Sequence, residues 1–207
     1  MSIKIRNANS DDAPFIAKMI LQSSRAGKKD GMFDLVFDMH DNNMILEKLK
    51  ILTTTTAKSY CHYSNFLIAE SDGKSVGTLC NYEPRISTKE EFIKALEEVG
   101  CSEKVHDRLE TFYSCKFDLN KRTLMFDFME EEEDFIDVGV LKALMQKSLL
   151  TARLKGYRIA QTIIEIGSLE AELFYKKLGF HIVEQKECEE YQEKFGRLGL
   201  MLLATEF

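Results

Sequence analysis

Proline is scarce in this 207-residue chain, with two in all, and no stretch is rich in proline, glycine or serine together. Such a composition lacks an obvious linker, and the length then fits one α/β domain better than two. No apolar run approaches the ~20 residues that a membrane helix needs, and Met1 to Arg6 begins a strand-like pattern rather than a targeting segment. Basic runs are also missing. The formal net charge is −6, from 34 acidic and 28 basic residues, so a polyanion such as nucleic acid would meet net repulsion. Small cationic or amine ligands suit that charge, which equally serves solubility alone.

The five cysteines (Cys61, Cys80, Cys101, Cys115, Cys188) form no CxxC pair. An odd count with no leader segment points to reduced thiols and a cytoplasmic protein. The four histidines (His40, His62, His106, His181) show no ligand spacing. Cys61-His62 and the interval from Cys101 to His106 are poor geometry for a tetrahedral site, so no metal is expected.

What is present is ordinary globular material, 44% hydrophobic and 30% charged, which is enough apolar surface for one core. Ile3 and Ile5 alternate with polar neighbours as in a half-buried strand, and Ser10-Asp11-Asp12 offers N-cap chemistry before a helical stripe of Phe15, Ile16, Met19 and Ile20. Residues Phe33 to Leu52 carry apolar side chains at helical spacing, interrupted around Asp41-Asn42-Asn43. Asn65 to Glu70 and Ser75 to Tyr82 read as strands joined by Ser71-Asp72-Gly73-Lys74, whose Asp-Gly pair signals a hairpin. After Pro84, Ser87 and Glu90 form a capping box for a helix to about Val99, and Ser102 to Cys115 forms a second helix.

Leu124 to Met129 returns to strand character, and an acidic run, Glu130 to Asp134, follows it. That run is open to two readings, a solvated turn or a functional rim that would attract cationic substrates and repel phosphate. A long amphipathic helix then carries Leu141, Leu144, Met145, Leu149 and Ala152 on one stripe and stops at Gly156. A strand at Gln161 to Ile166, a short helix from about Ser168 to Gly179, and strands near His181 to Lys186 and Leu198 to Thr205 complete the chain.

In the C-terminal half, Gly156-Tyr157, the strand to Ile166, Ala171, Phe174-Tyr175 and Leu178-Gly179-Phe180 resemble the signature of the GNAT superfamily of N-acetyltransferases. Near the front, Ile5-Arg6-Asn7-Ala8 through Ile20, and Leu67 through Tyr82, are similar to one branch of it. The resemblance implies an α/β fold with a mixed, mostly antiparallel sheet of about seven strands flanked by helices, splayed between its fourth and fifth strands. It implies acetyl-CoA as co-substrate, held in that gap, and a small-molecule or peptide amine as acceptor, without metal and with a homodimer left open.

Carried over residue by residue, the resemblance makes Met129, Glu131, Asp137, Val138, Gly139, Val140, Leu141, Lys142, Ser168 and Tyr175 the cofactor-binding set. A helix N-terminus with free backbone N–H groups can hold a pyrophosphate without any charged side chain. Gly139 keeps one diagnostic position of the phosphate loop, whereas Ile136 and Leu141 stand where the family has Arg/Gln and Gly/Ala, and Asp137 could cap the N–H groups that phosphate needs. Ser168 stands where many relatives have Asn, and is equally an ordinary helix cap. Tyr175 resembles the general acid that protonates the leaving thiolate, a role its ordinary pKa near 10 permits. Asp127 and Glu83, at strand ends, are candidate bases, and Phe33, Phe37 and Tyr82 candidate walls of the acceptor pocket. The rival reading is an interaction module of the same fold that has lost acyl transfer.

Overall fold

The hairpin expected at Asp72-Gly73 organises the first half of the sheet. Both residues have positive φ, 49° and 76°, which matches the right-handed twist of the strands they join. The computed structural model describes residues 2–206 except 103, 116, 120–122 and 137, and position 111 by its backbone alone. The strands are β1 (Ile3–Asn7), β2 (Phe66–Ser71), β3 (Lys74–Tyr82), β4 (Leu124–Glu131), β5 (Ile159–Glu165), β6 (His181–Glu187) and β7 (Gly199–Glu206). They form one sheet in the order β1-β2-β3-β4-β5-β7-β6. Every neighbouring pair is antiparallel except β4 and β5, so the sheet is mixed and mostly antiparallel as expected.

The helices are α1 (Ala13–Arg25), α2 (Met32–Phe37), α3 (Asn42–Leu52), α4 (Lys89–Glu98), α5 (Val105–Ser114), α6 (Val140–Leu154), α7 (Leu169–Lys177) and α8 (Glu189–Phe195). Two apolar clusters divide them between the faces of the sheet. One joins α1 to α5 with Phe66, Ile68, Cys80 and Phe128. The other joins α6 and α7 with Leu79, Phe126, Ala160 and Leu203. Among the described residues no helix is long and apolar enough to cross a membrane.

Local chemistry departs from the sequence reading in four places. Ser10–Asp12 is a 3₁₀ turn capped by Asn9, whose side chain accepts from the Asp11 N–H at 2.8 Å. Asp12 does not cap α1; its carboxylate takes a two-pronged bond from Arg6 at 2.7 and 2.8 Å, the stronger use of a buried charge. The cap of α4 is Thr88, not Ser87, and its hydroxyl accepts from the Glu91 N–H at 3.3 Å. The acidic run is not one turn, because Glu130 and Glu131 are half-buried residues of β4. Finally, α8 lies between β6 and β7, where the sequence reading places no element, and buries Tyr191 and Phe195 at helical spacing.

One glycine sets how closely α6 approaches the sheet. A Cβ at Gly77 of β3 would meet Cγ1 of Val140 at 2.6 Å and the carbonyl oxygen of Glu130 at 3.0 Å. Gly77 thus lets the start of α6 sit against β3 beside the end of β4. Gly77→Ala is expected to lower stability by about 1–3 kcal/mol through overpacking, read as a fall in Tm in thermal unfolding. An unchanged Tm would mean that the helix start shifts freely.

Candidate active site

The parallel pair β4 and β5 meets over three residue pairs only, Leu124 to Phe126 against Ala160 to Thr162. Both strands then continue, β4 to Glu131 and β5 to Glu165, and the space between them opens into a cavity of about 340 Å³. One wall comes from the α1 side of the sheet, through Ser23, Ser24, Met32, Phe112 and Tyr191; the other comes from α7, through Ser168, Ala171 and Tyr175. The cavity therefore passes between the strands from one face of the sheet to the other.

A β-bulge marks the parting. Cys80 pairs with Asp127 and Thr78 with Glu130, so β4 carries one residue more than β3 across this interval. Phe128 sits there with φ of 43°, a costly region for an aromatic residue. Side chains hold both ends of the bulge: the Asp127 carboxylate accepts from the Phe128 N–H at 2.8 Å, and the Thr78 hydroxyl donates to the Phe128 carbonyl at 3.1 Å. The Phe128 ring stacks on Phe66 and Tyr60, with centroids 6.2 and 5.9 Å away. Because Cys80 and Thr78 share a face of β3, the extra residue also brings Asp127 and Glu130 onto one face of β4. Regular alternation would have put them on opposite faces.

Burial pushes the Asp127 carboxyl up to about 6, against a smaller lowering by its bond to the Phe128 N–H. Burial likewise pushes Glu130 up to about 7, moderated by Gln22 and Ser23; the Gln22 amide donates to it at 2.9 Å. Tyr175 is raised above the ordinary phenol range by burial, and Thr162 donates to its hydroxyl at 3.4 Å. A phenol so placed is protonated throughout the neutral range. Glu165, at the far end of β5, has cationic partners: it pairs with Lys28, with Arg197 at 3.4 Å, and accepts from the Tyr191 hydroxyl at 2.8 Å.

Beside the end of β4, where Val140 approaches Gly77, Gly139 precedes α6 with φ of 96° and contributes no side-chain cap, and the first turn of α6 holds no acid. Its early N–H groups are of the kind left without helical partners, and Lys142 is exposed beside them. Leu141 packs inward against the second apolar cluster, so its bulk does not cover the loop. The Val138 N–H is used internally, donating to the Phe135 carbonyl at 3.1 Å. Asp137 lies outside the described residues. Glu131 closes β4 opposite Gly77.

Of the residues singled out in the sequence, Asp127, Met129, Ser168 and Tyr175 come together at this cavity. Ser168 precedes α7 without making a side-chain cap bond. Four others require correction. Glu83 and Tyr82 line a separate cavity of about 430 Å³ with Lys147 of α6 and Lys155 just after it. Antiparallel pairing puts Tyr82 opposite Met125, at the start of β4 rather than its end, and Glu83 is held by Arg85 at 2.5 Å. Phe33 and Phe37 are fully or nearly fully buried core residues and line neither cavity. Among the described residues, α2 to α5 reach the cleft through Met32 of α2 and Phe112 of α5. Sequence reasoning missed Glu130 as an individual, along with Glu165 and Tyr191; the Tyr191 and Phe195 spacing was the one available signal for the last.

The two raised carboxyl groups make a prediction with a definite sign. Their folded pKa values exceed the ordinary 3.8 and 4.5, so the folded chain binds more protons than the unfolded chain between about pH 4 and 7. Their contribution is therefore lost as pH rises through 6 to 7. Asp127→Asn is expected to gain about 1–3 kcal/mol at pH 8, a rise of several degrees in Tm, with the gain shrinking toward pH 4. Thermal unfolding at both pH values checks this; a gain independent of pH, or a loss at pH 8, contradicts the burial of an ionised Asp127.

The sequence matches no family model and no curated protein. Solved structures nevertheless resemble the whole chain. An N-acetyltransferase from Staphylococcus aureus Mu50 superposes with a TM-score of 0.72 at 17% identity, covering 98% of this chain and 100% of that one. A GCN5-related N-acetyltransferase from Kribbella flavida gives 0.61 at 16%, covering 99% and 98%. A ribosomal-protein-alanine N-acetyltransferase from Brucella melitensis gives 0.59 at 15%, covering 99% of each. With its seven-stranded sheet parted between the fourth and fifth strands, the chain has the fold of the GNAT acetyltransferases.

Proposed function

We propose that this chain is a cytoplasmic GNAT enzyme that transfers an acetyl group from acetyl-CoA to a primary amine by direct attack. One observation carries the reading: the gap between β4 and β5 holds a buried, protonated phenol, Tyr175, and a buried carboxyl group, Asp127, in the same cavity. The three solved structures above are N-acetyltransferases, which agrees with it.

In this reading the acceptor enters from the α1 side and the thioester from the α7 side. Asp127 takes a proton from the ammonium, the amine attacks the thioester carbonyl, and the C–N bond forms as the C–S bond breaks. Tyr175 gives its proton to the departing sulfur, and the second proton of the attacking nitrogen restores the phenol as the amide forms. Backbone N–H groups of β4 beyond the bulge, around Met129 to Glu131, polarise the carbonyl and position the pantetheine arm. The start of α6, from Gly139 through Val140, Leu141 and Lys142, takes the pyrophosphate with its N–H groups and dipole, while Val138 offers its exposed side chain and Ser168 a hydroxyl. Most of the rate enhancement would come from holding two substrates in one gap.

The rival reading, an interaction module without transfer activity, rests on Ile136, Asp137 and Leu141 in the phosphate loop. The inward packing of Leu141 weakens one of those three grounds. Calorimetry is expected to give acetyl-CoA a micromolar to sub-millimolar Kd; no heat and no thermal shift at millimolar acetyl-CoA would favour the module. Tyr175→Phe keeps the ring packed against Phe180 and is expected to lower single-turnover acetyl transfer by about 10- to 10³-fold with CoA affinity intact. Transfer at the wild-type rate would make Tyr175 a packing residue. The wild-type single-turnover rate should also rise with pH through about 6 as Asp127 ionises.

A further inference from the structure

Three carboxylates line the cleft, Asp127, Glu130 and Glu165, and among the described residues two of them are without an ion-pair partner where one base suffices. Asp127 and Glu130 share a face of β4 and line the same cavity, and their hydrogen-bond partners are neutral: the Phe128 N–H for Asp127, and Gln22 and Ser23 for Glu130. Among the described residues neither carboxylate has an ion-pair partner. The basic residues that reach this region, Lys28 and Arg197, are committed to Glu165. Buried carboxylates without a cation are costly and are normally found paired, so this arrangement is complementary to a cation brought by the ligand.

The spacing narrows the ligand further. Asp127 and Glu130 lie opposite Cys80 and Thr78, two residues apart along β3, which corresponds to about 7 Å. Asp127 follows Phe126, the last residue paired with Thr162, and Thr162 contacts the Tyr175 hydroxyl; this is the reacting end. Glu130 lies under Gln22 of α1, away from that end. The cavity walls nearby include the apolar side chains of Met32, Phe112 and Met129, suited to methylene groups.

We propose that the acceptor is an alkyl diamine whose reacting nitrogen is delivered to Asp127 while its second, permanently protonated ammonium is held by Glu130. This deepens the acetyltransferase reading and rests on it. In the step, the reacting ammonium gives one proton to Asp127 and its nitrogen bonds to the acetyl carbon. The C–S bond breaks, CoA leaves as the thiol with the Tyr175 proton, the second proton of the attacking nitrogen restores the Tyr175 phenol as the amide forms, and the distal ammonium is unchanged. Extended 1,4-diaminobutane and 1,5-diaminopentane match the span. The elevated proton affinity of Glu130 in the empty cleft would fall when an ammonium arrives, which strengthens the pairing.

The test is a free-thiol assay with acetyl-CoA that compares 1,4-diaminobutane, n-butylamine and 4-aminobutanoate, which differ only in the distal group. The diamine is expected to exceed butylamine in kcat/KM by at least about tenfold, with 4-aminobutanoate the poorest. Glu130→Gln is expected to collapse the diamine-to-butylamine ratio toward one, chiefly through KM for the diamine. Glu130→Asp should retain part of it, and cooperative thermal unfolding confirms that both variants fold. Butylamine or 4-aminobutanoate equal to the diamine, or a ratio that survives Glu130→Gln, overturns the proposal. Calorimetry with acetyl-CoA separates the two levels. Heat on binding together with acetylation of peptide amines alone sinks the diamine while leaving the acetyltransferase reading standing. Absence of both heat and thiol release sinks both.

Discussion

The site depends on how briefly β4 and β5 are paired. Three residue pairs join them, and past Phe126 the bulge at Phe128 bends β4 away. A bulge is unstable unless its peptide groups find partners. Here the partners are side chains, with Asp127 on the N–H and Thr78 on the carbonyl, and ring stacking against Phe66 and Tyr60 fixes the phenyl group. The same carboxylate that holds the bulge is the candidate base. Architecture and chemistry thus share one residue, and the opening of the strands presents backbone, carboxylates and phenol to a common space.

That space is stabilised poorly and suited to reaction well. Asp127 and Glu130 are shifted toward neutrality by burial, which the fold tolerates instead of replacing them with apolar residues. Perturbed carboxyl groups in a cleft mark functional sites more often than structural ones, and stability lost at a site is a common consequence of function. The contrast with Glu165 is instructive. It too lines the cleft, yet it pairs with Lys28 and Arg197 and accepts from the Tyr191 hydroxyl, binding the α1–α2 connection and α8 to the end of β5. Among the described residues one carboxylate of the cleft is paired with cations and two are not.

Much of this was legible in the sequence, for reasons that can be named. Period-two and period-3.6 patterns located the strands and most helices, and the Asp72-Gly73 turn and Gly156 stop are local chemistry that tertiary structure did not override. The resemblance around Phe174-Tyr175 and Leu178-Gly179-Phe180 points to the gap between β4 and β5, and Asp127, Met129, Ser168 and Tyr175 meet there. Glu83 failed because the sequence marks a strand end without saying which end of the sheet it reaches; antiparallel pairing carries it to the wrong one. Phe33 and Phe37 failed because a stripe of aromatics reads alike whether it faces a pocket or a core. Glu130 was hidden in a run of acids, and the bulge that turns it toward Asp127 leaves no mark in composition, since Phe128 is not a residue that advertises positive φ.

The central claim is that acetyl-CoA lies between β4 and β5 with its phosphates at the start of α6. Hydrogen exchange of the backbone amides with and without saturating acetyl-CoA tests it most directly, because it reports on the strand edge and the helix start at once. The account predicts slowed exchange at Phe128 to Glu131 and at Gly139 to Lys142, with little change at Tyr82 and Glu83 beside the other cavity. Protection confined to that other cavity, or none at the β4 edge under conditions where acetyl-CoA is bound, would contradict it.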